Sequence, residues 1–461
     1  MSVIAAFMVP HPPMIIPDVG RGRERQIEET IRAYETVAGE IARLKPDTIV
    51  ISSPHATMYA DYFHISPGSE AVGTLEQFQA PGVSFREEYD TKLVHMIQAL
   101  ADENAFPAGT LGERERMLDH GTMIPLYFIR QKYEDFRLVR LGLSGLPLTE
   151  HYALGQLVQE AADRTDTRVV FVASGDLSHK LKEYGPYGFA REGVQYDERI
   201  MNVCGRGAFG ELFDFDESFC EKAAECGHRS FVIMAGALDG LAVDARRLSH
   251  EDVTGVGYGI CSFYPLGERA DRRFLKEHLQ HVKAKLDEAR KNADAYVRLA
   301  HKALEAYVTD AVRIPIPEEL PQEMMTQQAG AFVSIHEHGM LRGCIGTILP
   351  TKECLAREII DNAISAATAD PRFSPIEEKE LAWLEIHVDI LGKPELIDSP
   401  EQLDVKRYGV IVSSRGKRGL LLPDLDGIDT VEQQISIAMR KGRIDPDEDV
   451  TLERFEVTRH T

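Results

Sequence analysis

Val3–Pro13 reads VIAAFMVPHPP: a short apolar run, then a histidine set among three prolines. The run from Val3 to Val9 reads as a β-strand, and Pro10, Pro12 and Pro13 fix the backbone beyond it and deny it a helix. His11 therefore follows directly on a strand end. The same design returns four more times. Apolar runs at Thr48–Ser52, Arg137–Leu143, Arg168–Ser174 and Gly255–Tyr264 alternate with longer amphipathic stretches at Arg21–Leu44, Glu87–Asn104, Thr149–Arg164 and Arg229–Leu241. That alternation is the pattern of βα units, so the first 265 or so residues are expected to be an α/β domain around a mixed or parallel sheet. Open α/β sheets bind ligands at the carboxyl ends of their strands.

Four histidines fall at such ends. His11 lies in VPHPP, His55 in ISSPHAT, His120 in LDHGT and His179 in ASGDLSH. A lone histidine is more often structural than a ligand, but two at the same end of strands expected to neighbour each other can meet across a cleft. Two neutral imidazoles and one carboxylate would leave three positions open on a divalent metal, which suits a non-haem Fe(II) that binds substrate and O2 side by side. The carboxylate should come from a distant stretch re-entering the cleft. Glu225, in AAECGHRSFVIMAGAL, fits that description; an acidic residue before a helix is equally favoured there by the macrodipole. Asp119 and Asp176 read either as turn and cap residues or, for Asp176, as a group orienting an imidazole.

Composition bounds the alternatives. The 461 residues exceed one core, and two domains are expected. With 52 Lys+Arg against 74 Asp+Glu the net charge is −22, which disfavours nucleic acid and anionic lipid as partners. The early apolar run is too short and lacks the basic flank of a signal peptide. No run elsewhere approaches the roughly 18–20 residues needed to span a bilayer. Six cysteines without a C-x-x-C pair suggest a reducing, cytoplasmic setting.

Past Glu268 the pattern changes. A charged helical stretch with Leu275, Leu279 and Val282 at helical spacing reads as a linker over 267–290, which would also offer a surface for a homo-oligomer. Residues 291–461 then open with a first helix at the end of that charged stretch and show strand-like AGAFVSI, LRGCIGTIL, WLEIHVDIL and YGVIVSS with a further helix expected at Lys352–Ala369, a smaller α+β domain. In LRGCIG, Arg342 beside Cys344 would lower the thiol pKa. Gly343 and Gly346 would admit a ligand, and Arg372 in DPRFSP can pair an anion. The opposing reading is a buried structural cysteine with glycines serving bulges.

In this order VPHPP, SSPH, LDHGTMIPL, SGDLSH and ECGHRSFVIMAGAL resemble the class III extradiol ring-cleavage dioxygenases, the LigB-type superfamily that includes the MEMO proteins, over residues 1–266. The resemblance implies Fe(II) held by His11, His55 and Glu225, His179 as acid/base catalyst, His120 facing substrate or O2, and a catechol-like small molecule as substrate. Cys226 lies where a MEMO-like member would place a cysteine ligand, and a thiolate there would favour Cu, another divalent metal or a different iron chemistry over ring cleavage. Glu225 is the preferred third ligand, with Cys226 as the alternative. The main alternative is a MEMO-like metal-binding redox or scaffold protein without ring cleavage, and metal-assisted hydrolysis is a weaker third reading. The LRGCIG, DPRFSPI, LEIHVDIL and RGLLLPDL segments resemble the AMMECR1 family. The fused order resembles the AmmeMemoRadiSam arrangement, which implies a radical SAM protein as partner. Substrate shape would be set by the loops Gly68–Pro81 and Lys180–Phe189, where Tyr184 and Tyr187 are candidates to line the cleft.

Overall fold

The computed structural model describes residues 2–461 other than 115 and 426. The chain divides into two compact units, Met1–Leu279 and Gln280–Thr461, and the division falls inside one continuous helix, Phe274–Asn292.

The first unit is built on six strands: β1 (Val3–Val9), β2 (Thr48–Ser53), β3 (Arg137–Gly142), β4 (Val169–Ser174), β5 (Leu241–Glu251) and β6 (Tyr258–Glu268). Their order is β3-β2-β4-β1-β6-β5. The first four run parallel, and β6 and β5 close one edge antiparallel. In β1, β2 and β4 almost every residue is buried, because helices cover both faces. Ala5, Phe7 and Val9 pack with Ile49, Ile51, Val170 and Val172 against the helices Glu28–Leu44 and His120–Arg130. Ala6 and Met8 pack with Val50 and Phe171 on the other face, under Thr91–Glu103, Leu148–Thr165, Arg191–Arg206 and His228–Gly236. Burying one such side chain contributes about 1.5–3 kcal/mol, so the doubly covered centre of the sheet is the rigid platform from which the strand-end loops project.

Two helices cross unusually closely. A Cβ at Gly236 would lie 1.9 Å from the Tyr152 carbonyl oxygen and one at Gly155 2.0 Å from that of Ile233, so His228–Gly236 lies backbone to backbone on Leu148–Thr165. That contact fixes the segment carrying Glu225 and Cys226.

The structure departs from the sequence expectations at the edges. β1 and β2 are not neighbours; β4 lies between them. The stretch Gly68–Pro81, expected as a loop, contributes to a hairpin of Glu70–Leu75 with Ala80–Glu88, and the helix expected from Glu87 starts at Thr91 under an Asp90 cap. The helix expected to run to Leu241 stops at Gly236, and the half-exposed edge strand β5 begins at Leu241. Edge strands and hairpins bury only one face weakly, so they leave little apolar signal.

The second unit is an antiparallel sheet in the order Met340–Gly346, Ala331–Glu337, Leu384–Leu391, Thr451–His460, Tyr408–Ser414, Lys417–Leu421, with Glu395–Ile397 also paired to Thr451–His460. Ala295–Asp310 and Leu355–Thr368 cover one end of it, and Val431–Lys441 the other. Among the described residues, no helix is long and apolar enough to cross a membrane.

Candidate metal centre

β1 and β2 release His11 and His55 on either side of β4, and the two rings meet above its end with Nε2 atoms 3.0 Å apart. The strand between them is the reason they fit: it spaces the two backbones so that the imidazoles reach inward rather than collide. Tyr34 donates to the Pro10 carbonyl and anchors the turn before His11. The His11 ring is oriented by Ser174, the last residue of β4. Ser174 gives its one hydroxyl proton to Gly121 O (2.6 Å), so it accepts from His11 Nδ1 (2.9 Å), and the His11 lone pair sits on Nε2, aimed at the cluster.

Cys226 supplies the third donor. Its Sγ lies 3.6 Å from His11 Nε2 and accepts the Asp176 backbone N–H at 3.3 Å. Gly175 and Gly227 make this approach: a Cβ on Gly175 would stand 2.1 Å from Gly227 Cα, so the Cys226 turn lies directly on the end of β4. One donor atom each from His11, His55 and Cys226 lie within 4.8 Å of one another, and the same holds for Asp176, His179 and Cys226.

Glu225 is turned the other way. Its Oε2 accepts the His228 N–H at 2.6 Å and completes the N-terminus of His228–Gly236. Of the two candidates for the third position, the structure therefore brings Cys226 to the imidazole pair and gives Glu225 the helix end. Adjacent residues on a tight turn project in different directions, and the turn is set by packing that the local sequence does not encode.

Asp176 links the two sides of the cluster: Oδ1 accepts the His11 N–H (2.7 Å) and Oδ2 faces His179 Nε2 at 3.8 Å. His120 opens the helix His120–Arg130, its ring centroid 4.0 Å from that of His55 and 5.4 Å from that of His11. Asp119 caps that helix through Thr122, accepts from Ser53 Oγ at 2.5 Å and faces the buried Arg140 guanidinium at 3.7 Å. One carboxylate thus ties together the turns carrying His55 and His120. Phe78 lies against His120 and Tyr187 against His179, ring centroids 5.4 and 5.1 Å apart, so aromatic rings border both sides. Tyr184 and Tyr187 are both exposed.

The electrostatics favour neutral nitrogen donors. Burial, then the neighbouring imidazoles, push His55 and His120 down to about 4, and burial lowers His11. Burial would raise the Asp176 carboxyl, but His11 and His179 outweigh it and the net shift is downward. Burial, with Asp176 and Glu225 adding to it, holds the Cys226 thiol well above its ordinary value. Two neutral imidazoles and a thiol are a coherent donor set for a thiophilic or borderline cation such as Cu, Fe(II) or Zn(II), and a poor one for Mg2+ or Ca2+. The residues present fit a metal.

Sequence reading missed Ser174, Ser53 and Arg140. Serines at the ends of β2 and β4, next to the histidine turns, were the available signal.

In the second unit Arg342, Cys344 and Arg372 lie on an interlock. Arg342 pairs with Glu380 and donates to Ser374 O and Pro375 O. Arg372 pairs with the buried Asp370 and reaches Cys344 O, while Cys344 N–H donates to Asp370 Oδ2 at 2.9 Å. Side chains of Asp370 and Arg372 thus take up the backbone N–H and carbonyl of Cys344 on the outer edge of the terminal strand Met340–Gly346. Gly343 and Gly346 admit the protein's own atoms, Ala366 O and the Phe332 ring, rather than a ligand. Burial raises the Cys344 thiol against the opposing pull of Arg372, so the expected lowering by a neighbouring arginine is reversed.

Residues 5–261 match the family model "Catalytic LigB subunit of aromatic ring-opening dioxygenase", and residues 297–460 match the AMMECR1 model. A Clostridium acetobutylicum protein is 39% identical over 100% of this chain and 99% of its own length. A Thermotoga maritima protein is 51% identical over 36% of this chain and 96% of its own. A crystal structure of an uncharacterised Pyrococcus horikoshii protein, 32% identical, covers 36% of this chain and 88% of that one with a TM-score of 0.34.

Proposed function

The chain belongs to the LigB family, with an AMMECR1 domain behind its LigB domain, and from that membership we propose that the first unit is a metal-dependent oxidoreductase whose ion is held by His11, His55 and Cys226. The observation that carries this reading is the position of Cys226 Sγ, 3.6 Å from the lone-pair nitrogen of His11, while Glu225 is engaged by the His228 N–H. A bound iron or copper ion would supply the electron transfer and Lewis acidity that the side chains lack. The rest is done by the protein. His11 and His55 present neutral nitrogens, and Cys226 gives up its thiol proton, with the Asp176 N–H pointed at the resulting charge. His179, facing Asp176 Oδ2, is placed to hold or pass a proton at Nε2. His120, Phe78 and Tyr187 border the open side, where a small aromatic molecule and O2 would enter.

A second reading, Fe(II)-dependent ring cleavage of a catechol-like substrate, is favoured by the family and by those bordering rings. It requires Glu225 to exchange the His228 N–H for the metal. Anaerobic purification, metal analysis and O2 uptake with a catechol panel separate the two. Metal that survives Glu225→Ala and is lost in Cys226→Ser supports the thiolate centre. Metal lost with Glu225 and kept without the thiol, with ring-opened product, replaces it by the ring-cleavage reading. We also propose, from the fused order alone, a radical SAM protein as the partner this arrangement serves; absence of binding between the two purified proteins would remove that element.

A further inference from the structure

Behind the cluster lies a buried carboxylate that neither reading uses. Asp197, on the helix Arg191–Arg206, is 2% exposed, and its ion-pair partner among the described residues is His250. Its Oδ1 accepts the Ser178 backbone N–H at 2.8 Å, and its Oδ2 meets His250 Nε2 at 2.9 Å, from the edge strand β5. The space is made for it: a Cβ at Gly257 would lie 1.9 Å from Asp197 Oδ2. A buried carboxylate costs several kcal/mol in desolvation, and apolar side chains of similar volume commonly serve stability as well or better. What the carboxylate holds is therefore informative.

It holds Ser178, and Ser178 joins the two segments that form the site. Ser178 Oγ donates to Ala223 O (2.7 Å) and accepts from Lys180 N–H (3.0 Å), its carbonyl accepts Gly257 N–H (2.8 Å), and the next residue, His179, donates its N–H to Ala224 O (3.3 Å). Upstream, the same loop carries Asp176, which grips His11 N–H and the Cys226 sulfur. Downstream of Ala224 come Glu225 and Cys226. Three elements remote in sequence thus converge on one turn, and that turn sets the separation between His11 and Cys226.

We infer that Asp197 and His250 are the positioning pair of this centre: together they clamp the 175–179 loop so that His11, Cys226 and His179 face one another. The functional consequence rests on the metal-centre reading; the clamp itself does not. Neither residue touches the metal position. They act through Ser178.

The test uses the full-length chain, with Co2+ alone as probe, in wild type, Asp197→Ala, Asp197→Asn and His250→Gln. Affinity is read from the thiolate-to-cobalt charge-transfer band, and amide exchange over residues 175–180 is followed in metal-free protein beside Val37→Ala, a core variant on the opposite face of the sheet. Groups that orient ligands typically hold 10–100-fold in metal affinity. The expected result is a loss of about tenfold or more in Asp197→Ala, recovery to within about threefold in Asp197→Asn and His250→Gln, which keep a hydrogen-bonding partner, and faster exchange at 175–180 in Asp197→Ala than in Val37→Ala. Exchange in Asp197→Ala no faster than in Val37→Ala overturns the clamp, as does wild-type cobalt affinity in that variant. If wild type gives no charge-transfer band, the thiolate reading fails, and the exchange comparison still decides the clamp.

Discussion

Replacing Glu225 by glutamine tests the assignment of that residue to the helix end. Burial raises its carboxyl from the ordinary 4.5 to about 7, with the His228 N–H and Arg229 pulling weakly the other way. A carboxyl whose folded pKa is raised binds more protons folded than unfolded between those two values. Stability from this group is therefore fully present below about pH 4.5 and lost as pH rises through 7. At about 1.4 kcal/mol per pH unit the ceiling is about 3.5 kcal/mol, and because the side chain is half-buried rather than sealed, about 1–3 kcal/mol is expected. Glutamine keeps a carbonyl for the His228 N–H but cannot ionise. Urea unfolding with a chelator present, at intervals from pH 4.5 to 8, should show Glu225→Gln gaining on wild type as pH rises and levelling off above pH 7. The lowered histidines, His55 and His120 among them, act oppositely over about pH 4–6.5, but they are common to both proteins and cancel in the difference. A difference that does not change with pH would refute the reasoning, as would loss of metal from the variant.

Three further outcomes are expected. Because Cys226 must shed a proton from a raised thiol while His55 and His120 are already neutral, Co2+ affinity should rise about tenfold per pH unit between pH 6 and 8, and Cys226→Ser should both weaken binding and flatten that slope; titrations at several pH values check it. Gly236→Ala puts a Cβ 1.9 Å from Tyr152 O and should cost about 1–3 kcal/mol, read from the urea midpoint; an unchanged midpoint would show that the two helices separate freely. Native Cys344, raised by burial, should be alkylated by iodoacetamide more slowly than the same residue in the unfolded chain, and faster reaction would revive the reactive-thiol reading.

Much of the fold was legible where side chains are buried on both faces. β1, β2 and β4 show as apolar runs because helices cover each side, and their ends are marked by Pro10, Ser53 and Ser174. The hairpin Glu70–Leu75 with Ala80–Glu88, the helix Arg191–Arg206 and the strands Lys417–Leu421 and Thr451–His460 were not anticipated. Their faces are partly exposed and their patterns mixed, so a window of sequence carries little of their burial. Asp176 illustrates the middle case. The sequence placed it at a turn, but its grip on His11, 165 residues away, is a tertiary fact.

By itself the sequence determined the α/β character of the first unit, the change to a second unit beyond it, and His11, His55 and His179 beyond strand ends, because strand patterning and turn chemistry are local; His120, expected at the same kind of place, instead opens the helix His120–Arg130 with no sheet strand leading into it. Which residues converge was decided only in three dimensions. β4 sits between β1 and β2 and sets the reach of His11 and His55. The turn held by Gly175 and Gly227 sends Cys226 to the imidazoles and Glu225 to a helix end, although the two are neighbours in the chain. Convergence depends on where distant backbones pack, and neither residue type nor spacing at 225–226 carries that information.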